Sequence, residues 1–302
     1  MIQFLTFLTG VILAVMISIN GNLSNIYGVF WATAIIHVVG SIVAAVGCAA
    51  QKEKKTLWKY GPKWIYLGGA IGVFTTVSNN VATQYISITS IIALGLMGQT
   101  LAAICIDTFG LFGMQKVRFK KTDLVGFVFA VIGIIVMIDL KAMTSMLGVF
   151  ISLCAGVSVV LSRTVNARLA NHIGGLRGSL VNHLVGIPCS ILVALCLAGR
   201  FPTEAIVINP GNAWMYIGGS MGVCVVFLCN TTVPRIPAFQ NTMLTFAGQL
   251  ITGVIIDIAL GKNFMDRSFV GGIIVAVGIL VNIVIGRAAE VTDRKTGGKI
   301  PE

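Results

Sequence analysis

The sequence predicts an all-α polytopic membrane protein, with ten transmembrane helices in two inverted five-helix repeats. Three observations predict it. Of 302 residues, 56% are hydrophobic and only 10% charged, with mean hydropathy +0.95. Soluble domains carry about 25% charge, so a chain this apolar needs a bilayer to hide its side chains. The second observation is a set of apolar stretches near the ~20 residues a span requires, over roughly 3–21, 29–50, 64–83, 88–108, 122–140, 145–165, 176–198, 213–232, 238–259 and 268–287. The third is internal repetition. Gly95–Asp107 reads GLMGQTLAAICID, and Thr245–Asp257 reads TFAGQLITGVIID. Each copy holds a Gly-Gln pair, and each ends in Ile-Asp.

The repetition extends along the chain in order. Asn20–Asn25 (NGNLSN) aligns with Asn166–Asn171 (NARLAN), His37 with His183, and Gly40 with Gly186. After the long second loop, Trp64–Gly72 (WIYLGGAIG) aligns with Trp214–Gly222 (WMYIGGSMG), and Asn80 with Asn230. In the last span of each half, Gly126 and Gly133 align with Gly271 and Gly278. The repeats are therefore placed at 1–141 and 142–288, followed by a tail at 289–302. Five spans is an odd number, so the second repeat enters the membrane from the opposite side. The first span begins without a basic leader segment and reads as a retained helix.

Charge sets the orientation. Seventeen of the 21 basic residues fall on one side if the stretches between spans are loops, and the other side holds Lys141, Arg200, Lys262 and Arg267. Such a bias puts both termini in the cytoplasm. It also accounts for the net charge of +11 without nucleic acid. The seven cysteines all lie in apolar spans without metal-ligand spacing, and read as small packing residues. No metal site and no cofactor is expected. The sequence has no GxSxG, no HExxH and no phosphate loop, so it is not read as an enzyme.

The WxYLGGxxG stretch, the GQ…IDTFGLFG stretch from Gly98 to Gly113 and the NGNL segment resemble the drug/metabolite transporter superfamily, and within it the YdcZ-like family of bacterial inner-membrane proteins, here with two five-span units fused. The second copy departs from that pattern after Asp257, where IALG replaces TFGLFG. The resemblance implies a multi-pass protein of the bacterial cytoplasmic (inner) membrane that moves a small solute. The small multidrug exporters of the superfamily carry a membrane-embedded Glu in their first helix. This chain has none there, which weighs against that mechanism.

Buried polar groups are costly in a bilayer and mark solute or ion paths. His37, His183, Gln99 and Gln249 fall near the middles of their spans, where inverted-repeat transporters bind solute. A free imidazole titrates near ~6.5, so the two histidines are the candidates to carry a proton. Asn80 and Asn230 offer amide donors and acceptors, and Trp31 sits near the outer end of its span. These seven residues are the candidate solute site. Asp107 and Asp257 lie at span ends and read as structural. The expected function is secondary-active transport of a small polar organic metabolite, in the export direction, by alternating access and with proton coupling. Two alternatives stand beside it. One is a lipid-linked carrier flippase using Arg163 and Arg168, and the other is a non-transporting subunit or sensor. The expected partners are a solute and membrane lipids, with the chain a monomer or homodimer.

Overall fold

The computed structural model describes residues 1–52, 55–86, 88–117, 121–138, 145–203, 211–259, 270–278, 281 and 285. Its helices are α1 (Ile2–Tyr27), α2 (Val29–Ala49), α3 (Gly68–Ala82), α4 (Ile88–Phe109), α5 (Lys121–Met137), α6 (Met146–Ile173), α7 (Gly175–Leu197), α8 (Ile217–Thr232) and α9 (Ala238–Ala259). Helical residues 270–278 are the described part of a tenth, α10. Short 3-10 turns, Lys63–Tyr66 and Ala213–Tyr216, lead into α3 and α8. Six helices are long and apolar enough to cross a membrane, and no strand occurs among the described residues. The repeat boundary at 141/142 and the tail at 289–302 lie outside the described residues.

Two elements differ from the sequence expectation in an informative way. α1 and α6 run past the expected span ends at 21 and 165, through the asparagine-rich segments, to Tyr27 and Ile173. The amides find partners that keep the helix going. Asn22 donates to the Ser18 carbonyl one turn back (2.9 Å), and Asn166 donates to the Asn182 side chain on α7 (2.8 Å). The turns to α2 and α7 are then one residue long. They are Gly28 (φ 73°) and Gly174 (φ 90°), in a backbone region where a Cβ is strained. In consequence Arg163, Arg168 and Arg177 belong to helices and not to a loop, and Arg177 is buried.

The packing repeats with the sequence. α1 packs chiefly on α9 and α8, and α6 on α4 and α3. α2 packs most closely on α7, and α4 touches α9. Adding five to each helix number reproduces this pattern. It also shows that the two halves interlock, because the first helix of each lies against helices of the other.

Glycines set the crossings, again in pairs. A Cβ on Gly10 would strike the Thr245 carbonyl of α9, and one on Gly156 the Gly95 carbonyl of α4. Gly98 and Gly248 face the Leu153 and Phe7 carbonyls in the same manner. The Gly-Gln stretch thus brings α4 against α6 and α9 against α1, backbone to backbone. Close approach of this kind is what drives helix association where lipid gives no hydrophobic force.

Asp107 closes the end of the α4–α9 contact. Its Oδ1 accepts from the Ala238 backbone N–H (2.7 Å) and its Oδ2 from that of Phe239 (2.9 Å). The carboxylate thereby caps the start of α9, where the helix dipole favours negative charge. Asp107→Ala should cost about 1–2 kcal/mol, the range for losing an N-cap. Thermal melting of the detergent-purified protein checks it, and an unchanged melting temperature would refute the capping role.

Candidate functional site

The centre of the site is the α2–α7 crossing. His37 and His183 are both buried there, and their Nδ1 atoms meet at 3.3 Å with the rings edge to face. One helix makes room for the other's ring. A Cβ on Gly40 would collide with the His183 imidazole, and a Cβ on Gly186 with that of His37. The contact needs one Nδ1–H donor and one bare Nδ1 acceptor, so the two rings hold different tautomers or share a proton. Nε2 of His183 is buried with no hydrogen-bond partner.

Around this pair the two repeats bond differently. On the face where α1 begins, called proximal here, the C-terminal half of α8 closes on α7. Ser179 donates to the Val223 carbonyl (3.3 Å), and Asn230 donates to the Gly175 carbonyl (2.9 Å). The equivalent residues on the distal face are Thr33 and Val73, and Asn80 and Val29. Those bonds are not made. Thr33 turns back to the Val29 carbonyl of its own helix (2.8 Å), and Asn80 to that of Thr76 (2.9 Å). α8 packs along both α7 and α6, whereas α3 barely touches α2 and has no substantial contact with α1. Phe30, Thr33, Val73 and Thr76 instead line a narrow distal groove between α2 and α3, with Ser190 of α7 at its wall.

The other sequence candidates are spread around this frame. Gln99 and Gln249 are half-buried at the α4–α6 and α9–α1 crossings, and neither side chain hydrogen-bonds among the described residues. Trp31 is buried near the distal face, edge-on to Phe201, beside the Tyr27–Tyr216 hydroxyl pair (2.7 Å). Its indole N–H is unpartnered. The structure therefore brings together His37 and His183 and puts Asn230 in the proximal seam. Asn80, Trp31 and the two glutamines stand apart. Sequence reasoning gave no role to Ser179 or Thr33. Comparing the repeats position by position, with donors in mind, would have found them.

A solved protein crystal structure shares the fold. It is 16% identical, with TM-score 0.69 over 96% of this chain and 97% of that one. No curated protein matches. A family model described as "Putative inner membrane exporter, YdcZ" matches twice, over residues 1–136 and again over 147–281. Two matches that together span most of the sequence, on halves that pack as counterparts, establish that the chain belongs to this family of inner-membrane exporters.

Proposed function

We propose that the protein exports a small polar organic metabolite by alternating access about the His37–His183 crossing, as a secondary-active and proton-coupled transporter. The basic-residue bias of the sequence supports a cytoplasmic proximal face, with Lys52, Lys55, Lys59 and Lys116 lying in connections there. On that orientation the conformation is closed to the cytoplasm and parted toward the outside. The observation that carries the reading is the asymmetry of equivalent bonds. Ser179–Val223 and Asn230–Gly175 are formed, while Thr33–Val73 and Asn80–Val29 are open. Exchange of the two sets converts one access state into the other without new chemistry.

The moving bodies are not the sequence halves. Helices α1, α2, α8 and α9 pack as one group, and α6, α7, α3 and α4 as the other, and they meet most extensively at the α2–α7 seam, with further contacts at α7–α8, α6–α8 and α4–α9. Motion at that seam displaces the two imidazoles relative to each other. This links their shared proton to the access state.

The test uses cysteine pairs in the full chain with its native cysteines replaced, reconstituted in vesicles. Ser179→Cys with Val223→Cys should cross-link and hold the proximal side shut. Thr33→Cys with Val73→Cys should cross-link as well, and then leave Ser179 accessible to an impermeant thiol reagent from the proximal side once it too is made cysteine. Failure of the Thr33/Val73 pair ever to join would leave a single fixed conformation and end the alternating-access reading.

A further inference from the structure

We infer that the solute carries a negative charge, a carboxylate or a phosphate, and that Arg163 takes it up. This rests on the transporter reading above and names the substrate class of that site.

Arg163 is a cation in the middle of a membrane helix. α6 has 28 residues. At ~1.5 Å per residue, Arg163 lies only about 5 Å past the helix midpoint. Its neighbours on the same stripe fix its direction. Val160, three residues before, packs with Phe239 and Met243 of α9 and Ala93 of α4. Ala167, four residues after, packs with Val225 and Cys229 of α8 and Met16 of α1. Side chains at this spacing share a face. Arg163 therefore lies on the face of α6 that carries these two clusters, within electrostatic range of the Cys229 thiol of α8.

Among the described residues nothing answers its charge. One guanidinium nitrogen is buried with no hydrogen-bond partner, and among the described residues no carboxylate pairs with it. Asp107, the buried acid of this region, holds the α9 N-terminus instead. Arg163 is half-buried. A cation on a membrane helix without an anion is costly in a bilayer, and such groups mark transport paths. A packing role would also be expected in both repeats. The counterpart of Arg163 is Ile17, which is 55% exposed. α3 stands off α1 on the distal side, where Ile17 is exposed, whereas α8 packs on α6 on the proximal side, where Arg163 is half-buried. Opening the proximal side by the same movement uncovers Arg163 to the cytoplasm. A planar fork of N–H donors suits a carboxylate or phosphate oxygen pair.

The experiment is thermal stabilisation of the detergent-purified full chain by succinate, inorganic phosphate, a polyprenyl phosphate and the neutral succinamide, each against sodium chloride of equal ionic strength. Succinate or phosphate should stabilise the wild type, and succinamide should not. Arg163→Ile, which copies the first repeat, should weaken that binding about tenfold or more, the value of a charged hydrogen bond. Arg163→Lys should keep part of it and serves if the first variant does not fold. Response to succinate alone assigns a carboxylate, and to inorganic phosphate alone a free phosphate. Response to polyprenyl phosphate alone keeps the anion site and makes its source a lipid. Equal stabilisation of wild type and Arg163→Ile, or none by any anion, overturns the inference. Since the cysteine-pair test needs no solute, alternation without anion binding defeats this inference only, and anion binding without alternation defeats only the transport mechanism.

Discussion

A chain carrying Gly156→Val should lose about 3 kcal/mol or more of stability, the upper end of overpacking costs. The obstacle is backbone. A Cβ at residue 156 runs into the Gly95 carbonyl and the Gln99 amide nitrogen of α4. A rotamer change on α4 cannot clear that path, so α4 and α6 must separate, and with them the crossing on which the Gly-Gln stretch is built. Gly10→Val, its counterpart, meets the Thr245 carbonyl and the Gln249 amide nitrogen of α9 in the same way. The two should behave alike, with melting in detergent as the measure. Gly21→Val is the control, because nothing lies within reach of a Cβ there. Melting of Gly156→Val at the control's temperature would mean that the helices are not this close.

The second large effect is expected at the histidines. Removing either ring by His37→Ala or His183→Ala strands the Nδ1 of the other in a buried site, at about 1–3 kcal/mol for the unsatisfied group. Removing both leaves no stranded partner. The double variant should therefore cost less than the sum of the singles by roughly 0.5–3 kcal/mol, the range for contacting residues. Additive losses would show that the rings are not coupled. The functional readout is separate. In the cysteine-pair proteins that keep both histidines, the ratio of distal to proximal cross-linking should change as the pH falls and the imidazole pair takes up a proton. In the double variant it should not. Wild-type pH dependence in that variant would end the proton assignment and leave the packing role.

Much of this was legible in the sequence, because a duplicated membrane protein writes its architecture twice. Aligning His37 with His183 placed both near the middles of equivalent spans, but that those two helices cross there is seen only in the fold. The helix ends were less legible. Asn20 and Asn166 read as terminators because amides compete for backbone hydrogen bonds. What keeps α6 going is a partner on a different helix, Asn182, which local pattern does not reveal. The difference between the two sides could not be read at all. Matching positions treat Thr33 and Ser179 as equals, and only the fold shows that one bonds across the seam and the other back to its own helix. Arg163 was expected at the very end of a span over 145–165, and was named only for the flippase alternative; because α6 runs to Ile173, it lies well inside the helix.

The interlocking of the halves bears on how such a chain could arise. α1 has its main partners in α8 and α9, and α6 in α3 and α4. A lone five-helix unit would leave its first helix bare on one flank and its third and fourth bare on another. Two copies inserted in opposite directions cover each other's gaps. A single unit is therefore complete only beside a second copy of opposite orientation, the two threaded through one another like clasped fingers. Joining two copies in one chain keeps the arrangement. It fixes the stoichiometry, and it frees each copy to diverge, as position 17 and position 163 have done.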